Sequence, residues 1–279
     1  MSLPDLLVQP IVEAALAEDL GRAGDLTAQA CVPADARLTV AFRTRADGRV
    51  AGLSCARLGL HALDPSIAFE ALIVDGEDAP AGAVLARASG DARAILSAER
   101  VALNLLGRLC GIASLTRAFV QAVEDTGCRI VDTRKTTPGL RALEKYAVRC
   151  GGGVNHRYGL DDAILIKDNH VAACGGVAPA LERARASAGW LTPIEVEVDS
   201  LAQLSEALPF RPDVIMLDNF SLADVRAAVA TVGGQVRLEA SGGVRLETVR
   251  AIAETGVTAI SVGALTHSAP VLDIGLDAA

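Results

Sequence analysis

Apolar and polar positions change rhythm once along this chain. Over residues 10–19 apolar side chains fall at Ile11, Ala14, Ala15 and Leu16, the spacing of one helix face. Residues 38–45 (LTVAFRTR) alternate like a half-buried strand, and residues 48–53 follow as a second strand after an Ala-Asp-Gly turn. Residues 67–74 read as another strand, and residues 75–82 are acidic and turn-rich. Residues 97–126 then carry Val101, Leu105, Leu109, Ile112, Leu115 and Phe119 at helical spacing. Gly107 and Gly111 are expected to bend or interrupt that long helix.

Beyond it the rhythm is that of alternating strands and helices. Short β-branched runs occur at residues 130–131, 163–166, 194–198, 214–217, 236–238 and 259–262. Helical stretches at 139–148, 177–188, 201–207, 222–232 and 246–254 separate most of them, which implies parallel βαβ units. Polar groups follow the runs repeatedly: Asp132 to Lys135, Lys167 to His170, Asp218-Asn219, Ser241-Gly242-Gly243 and Gly263, while Glu195 and Glu197 lie within one run. A β/α barrel gathers the carboxyl ends of its strands at one mouth, so six such ends favour a barrel over an open doubly wound sheet. The domain change is expected near residue 111.

Composition narrows the class. Hydrophobic residues make up 51% of the 279 positions and charged residues 22%, a globular rather than a disordered balance. A net charge of −8 argues against a general nucleic-acid binder, and 3% aromatics are too few for a base-stacking platform. The first twenty residues lack a basic n-region, and no run of about 18 uninterrupted apolar residues occurs, so neither a signal peptide nor a membrane span is expected. Six scattered cysteines without a CxxC pair read as reduced thiols of a cytoplasmic protein.

The charge is unevenly spread. Residues 129–157 hold seven basic and two acidic side chains, a local +5 on an otherwise acidic chain. Such a focus draws an anion into a cleft. Arg141, Lys145 and Arg149 fit a solvated helix face equally well, whereas Arg134, Lys135 and Arg157 sit at a strand end or beside the Gly151-Gly152-Gly153 turn. The chain has 23 arginines and only three lysines, and Lys135 and Lys167 fall at strand ends. His156 and His170 lack metal-ligand spacing, and His156 between Asn155 and Arg157 suits hydrogen bonding to an anion. Lys167 suits either a Schiff base or a carboxylate-binding ammonium. Glu197 and Asp218 suit Mg²⁺, ribose hydroxyls or ion pairs with arginines. Ser241, Gly242, Gly243 and Gly263 follow the last two strands, where barrels bind phosphate.

Seven strings, EDLGRAGDLT (18–27), ERVALNLLGRLCGIAS (99–114), DTRKTTPGLRALEKYAVRCGGGVNHRYGLDDAILIKDNH (132–170), EVEVDS (195–200), IMLDNF (215–220), LEASGGV (238–244) and ISVGALTHSAPVLDIGLD (260–277), resemble the quinolinate phosphoribosyltransferase family over nearly the whole chain. The resemblance implies an α/β protein. An N-terminal α/β sandwich domain (1–111, joined by the tail 270–279) would precede an incomplete, seven-stranded α/β barrel (112–269). It implies a homodimer, or an assembly of dimers, whose sites are shared between subunits, with no nucleic-acid or membrane partner. The implied reaction joins quinolinate to 5-phosphoribosyl-1-diphosphate with Mg²⁺, releasing pyrophosphate and CO2. By the same resemblance Arg134, His156, Arg157 and Lys167 bind quinolinate, with Arg100 reaching in from the partner. Lys135 holds the diphosphate, and Glu197 and Asp218 serve ribose and metal. Ser241, Gly242, Gly243 and Gly263 cradle the 5-phosphate, with His267 nearby. The ModD-like proteins associated with molybdate transport share the DTRKT string, but Asn155-His156-Arg157 and Lys167-Asp168-Asn169-His170 favour the transferase. A Schiff-base lyase using Lys167 is the other alternative.

Overall fold

The computed structural model describes residues 3–279. In chain order the elements are α1 (Asp5–Leu20), α2 (Leu26–Cys31), β1 (Arg37–Thr44), β2 (Gly48–Arg49), α3 (Leu53–Leu63), β3 (Ala68–Ala71), β4 (Asp78–Ala79), β5 (Val84–Asp91) and α4 (Ala92–Ala122). There follow β6 (Arg129–Val131), α5 (Arg141–Cys150), β7 (Ile164–Ile166), α6 (Asp168–Cys174), α7 (Val177–Ser187), β8 (Ile194–Val198) and α8 (Leu201–Ala207). The chain ends with β9 (Val214–Asp218), α9 (Leu222–Val232), β10 (Arg237–Ser241), α10 (Leu246–Ala253), β11 (Ala259–Ser261), α11 (Ala264–His267) and β12 (Ile274–Ala278).

The chain divides into two compact units. Among the described residues the first contains 3–117, 136–152 and 264–279. Its antiparallel sheet runs β12-β1-β5-β3, so the last strand of the chain pairs with the first. Residues 48–53, expected as a strand, supply only the short β2 before turning into α3. α4 is one unbroken helix of 31 residues, so Gly107 and Gly111 do not interrupt it. They admit another stretch of backbone instead. Leu272 donates its N–H to the Gly107 carbonyl at 3.0 Å, and a Cβ at Gly111 would collide with the Pro270 carbonyl. α4 is long and apolar enough by length and composition to cross a bilayer, but most of its apolar window is buried, as in a core helix.

α5 settles the two readings left open for its basic residues. Glu144 and Lys145 are 0% and 2% exposed, and of its three basic residues only Arg149 is exposed. Glu144 accepts from Arg108 at 2.7 Å and from the Thr137 amide at 3.0 Å. All six cysteines are free, and burial pushes the Cys55 and Cys110 thiols up to about 12.

The second unit contains residues 118–135 and 153–263. Six parallel strands run in the order β6-β11-β10-β9-β8-β7, with successive strands from β7 to β11 adjacent. The pairing of β6 with β11 brings the first strand beside the last, the mark of a sheet curling into a barrel. Among the described residues β6 and β7 do not pair. Val154 makes a single parallel bridge to Val131 in place of a seventh strand.

Strand alternation divides this unit into two chemistries. One set of positions is apolar and buried: Val196 and Val198, Ile215 and Leu217, Leu238 and Ala240, Ile260. The alternate set holds Leu165 and Lys167, Glu195 and Glu197, Met216 and Asp218, Glu239 and Ser241, then Ser261. Strands buried on both faces usually read as unbroken apolar runs, so this polar inner face is a departure that marks a site.

Candidate active site

A cavity of about 610 Å³ opens among the carboxyl ends of the second unit's strands. Its cationic wall is Arg134, Lys135, Arg157 and Lys167; its acidic wall is Glu197 and Asp218; Ser241, Gly242 and Gly243 border it as well. Arg100, Gly263 and His267 are not among its lining residues. Arg100 is an exposed residue of α4, and His267 belongs to the first unit, where Nδ1 lies 2.6 Å from Ser268 Oγ.

Asp132 organises the cationic wall from beneath. Its fully buried carboxylate accepts Asn155 Nδ2 at 2.5 Å and the His156 amide at 2.9 Å, tying the end of β6 to the Asn-His-Arg segment. Sequence reasoning gave this residue no role, although its place at the first strand end was visible. The Arg157 guanidinium is held below its ordinary pKa, first by burial and then by the charge of Arg134. Arg134 Nε is buried without a hydrogen-bond partner. Two crowded guanidinium groups, one of them with a buried unmet donor, call for an anion.

Lys167 follows β7, and its Nζ lies 2.5 Å from Glu197 Oε2 on β8. Its backbone amide donates to His170 Nδ1 at 2.9 Å, which accounts for the histidine three residues on. The ion pair fits an electrostatic role for Lys167 better than a nucleophilic one, since a Schiff base needs a free amine.

Glu197 and Asp218 each keep one oxygen for a ligand. Glu197 uses Oε2 on Lys167, and Asp218 uses Oδ2 on Asn219 at 2.8 Å. Two hard oxygen donors on neighbouring strands fit Mg²⁺, which takes oxygen ligands and leaves positions for substrate and water.

Gly242 has φ +98°, and a Cβ there would strike the Asn219 side chain and approach its backbone nitrogen to 3.0 Å. Asn219 itself is left-handed at φ +56° and donates its N–H to the Ser241 carbonyl at 2.9 Å. The ends of β9 and β10 are therefore locked together, and Gly242-Gly243 turns the chain toward α10 with two successive left-handed residues. Such turns aim backbone N–H groups at an anion.

His156 does not present a free ring nitrogen to the cavity. Nδ1 accepts the Arg157 amide at 2.8 Å, and Nε2 lies 2.9 Å from Glu195 Oε2 and 3.5 Å from Glu239 Oε2. Burial, and then the charge of Glu195, pushes the Glu239 carboxyl up to about 7. Sequence reasoning assigned neither glutamate a role. His156, Arg157 and Glu239 also border a second cavity of about 680 Å³ at the amino ends of the strands. There Asp213 accepts the Ile194 amide and Arg237 donates to the Asp213 carbonyl, so these charged groups serve the fold.

Residues 25–110 match the N-terminal domain of quinolinate phosphoribosyl transferase, and residues 112–277 match its C-terminal domain. The chain belongs to the quinolinate phosphoribosyl transferase family. It is 48% identical over 271 residues to the nicotinate-nucleotide pyrophosphorylase (carboxylating) of Mycobacterium leprae, covering 95% of each chain. It is 41% identical over 295 residues to the quinolinate phosphoribosyltransferase (decarboxylating) 1b of Nicotiana tabacum, covering 98% of this chain and 83% of the relative. The solved nicotinate-nucleotide pyrophosphorylase from Francisella tularensis superposes with a TM-score of 0.95 at 40% identity, covering 100% of this chain and 98% of that one.

Proposed function

We propose that this protein transfers the phosphoribosyl group of 5-phosphoribosyl-1-diphosphate to quinolinate with decarboxylation, yielding nicotinate mononucleotide, pyrophosphate and CO2. The observation that carries this reading is the opposition, in one cavity, of Arg134, Arg157 and Lys167 to Glu197 and Asp218, with Ser241-Gly242-Gly243 beside them. Family membership and the names of its relatives support it.

In this reading Arg134, Arg157 and Lys167 bind the two carboxylates of quinolinate, and His156 packs at the floor. Arg100 reaches in from the partner subunit of a homodimer. Lys135 holds the diphosphate, Ser241, Gly242, Gly243 and Gly263 take the 5-phosphate, and His267 lies close by. Glu197 and Asp218 orient the ribose and hold Mg²⁺, which on binding would neutralise charge on the diphosphate. The pyridine nitrogen attacks the anomeric carbon as the bond to pyrophosphate breaks, and fixed cations stabilise the departing charge. The pyridinium so formed takes up the electron pair left at C2 when the adjacent carboxylate departs as CO2. A proton then restores C2–H. The enzyme would act in the cytoplasm on small molecules alone.

The test is direct. Purified protein incubated with quinolinate, 5-phosphoribosyl-1-diphosphate and Mg²⁺ should form nicotinate mononucleotide and equimolar CO2. Absence of product across a broad pH and Mg²⁺ range would refute the assignment.

A further inference from the structure

A second tier of inward-facing side chains lies on the strands that carry the site. Glu195 precedes Glu197 by two residues on β8, and Glu239 precedes Ser241 by two on β10. Both are buried, at 7% and 4% exposure, and they meet at one imidazole, with ligand-capable atoms of Glu195, Glu239 and His156 all within 4.8 Å of one another. Glu195 Oε1 and Glu239 Oε1 are buried without hydrogen-bond partners.

Imidazole and two carboxylates have the composition of a metal site, but the ring excludes that use. The Arg157 amide donates to Nδ1, so the single ring proton of neutral His156 sits on Nε2, the nitrogen that faces both carboxylates. A protonated Nε2 has no lone pair for a cation. Its one N–H can satisfy one carboxylate at 2.9 Å, and that is Glu195. The second carboxyl, at 3.5 Å, is left buried beside the first, and neighbouring buried carboxyls resist both being ionised.

Resting on the assignment of quinolinate as substrate, we propose that Glu239 is a positioning residue that keeps a proton beside the Glu195–His156 pair, so that the pocket floor carries one negative charge, not two, beneath a dianionic ligand. Of the groups facing Glu239, Glu195 from β8 and Asp132 from the end of β6 favour its neutral form, whereas His156 and the Ser261 hydroxyl on β11 favour the ionised one; burial is the largest influence and favours the neutral form. A raised carboxyl titrates on the alkaline side: the proton is present below the shifted pKa and is lost as pH rises through it. An anionic ligand prefers the protonated floor, so its affinity is highest at low pH and falls as pH rises. The carboxylates of quinolinate are ionised throughout that range.

Calorimetric titration of the intact protein with quinolinate between pH 6.5 and 8.5 tests this. Ionisation of one linked group weakens binding by up to about tenfold per pH unit above its pKa, and a loss of at least about threefold is expected in the wild type. Glu239→Gln imitates the protonated carboxyl and should abolish that loss, whereas a merely structural change would alter affinity equally at every pH. Wild-type affinity constant within twofold would overturn the proposal, as would a Glu239→Gln protein with an undiminished pH dependence. Should that variant fail to fold, titrations of the wild type at pH 8 in buffers of different ionisation enthalpy decide: uptake of part of a proton on binding supports the proposal, and zero uptake overturns it. A wild type that binds no quinolinate at any pH would refute the assignment of substrate itself.

Discussion

Lys167 Nζ and Glu197 Oε2 lie 2.5 Å apart across the adjacent strands β7 and β8. The lysine side chain is 45% exposed and the glutamate 13%, so the ammonium faces the cavity while the carboxylate anchors it from the wall. Register makes this possible. Ile166 pairs with Val196, which puts Lys167, just past the end of β7, beside Glu197 of β8 at the mouth.

Removal of the ammonium should therefore damage both binding and turnover. Lys167→Met is expected to lower kcat/KM for quinolinate by at least about a hundredfold, the scale of a lost preorganised charge. Lys167→Arg should not restore it, because a planar fork cannot occupy the place of a compact ammonium held by one oxygen. Steady-state kinetics of the two variants measure this, and a fully active arginine variant would refute the point-charge role.

Asp218→Asn should raise the Mg²⁺ concentration needed for half-maximal rate by roughly tenfold, since a neutral amide oxygen is a poorer ligand for a hard cation. Rates measured against Mg²⁺ check it. An unchanged Mg²⁺ dependence would move the metal away from this residue.

Gly242→Ala places a Cβ into Asn219 at a backbone angle that L residues rarely adopt. A loss of about 1–3 kcal/mol in stability is expected, with a raised KM for 5-phosphoribosyl-1-diphosphate. Thermal denaturation and substrate kinetics read the two effects separately.

Arg108 holds a buried carboxylate. It donates to Glu144, whose side chain is 0% exposed, and to the Thr266 carbonyl. Arg108→Ala leaves that charge uncompensated and should cost about 3 kcal/mol or more, while adding Glu144→Leu should return part of the loss. Urea denaturation of the single and double variants checks this pair, and equal stabilities of the two would refute the buried-charge account.

Arg100 is an exposed residue outside the cavity lining. If it serves the partner's site, mixing inactive Arg100→Ala and Lys167→Ala proteins should regenerate activity toward a quarter of the wild-type level through hybrid dimers. Persistent inactivity despite demonstrated subunit exchange would remove Arg100 from a shared site.

The βαβ half of the molecule was legible because each strand there is a short apolar run between amphipathic helices. Residues 194–198, 201–207 and 222–232 coincide with observed elements. The first unit was less so. β5 escaped because its buried positions include Ala86, Ala88 and Gly90, which give little hydrophobic contrast. Gly111 looked like a breaker because a sequence shows missing side chains but not the Pro270 backbone that occupies their place.

The sequence by itself determined the strand–helix alternation, the polar strand ends and the family, because these are local patterns of period two and 3.6 or contiguous strings. Tertiary structure alone decided that Lys145 is buried, that Asp132 supports the Asn-His-Arg segment, and that Glu195 and Glu239 converge on His156. His156 comes from an irregular segment and the two glutamates from strands far along the chain. Only the curvature of the sheet brings them within hydrogen-bond range, and only burial there raises the Glu239 carboxyl.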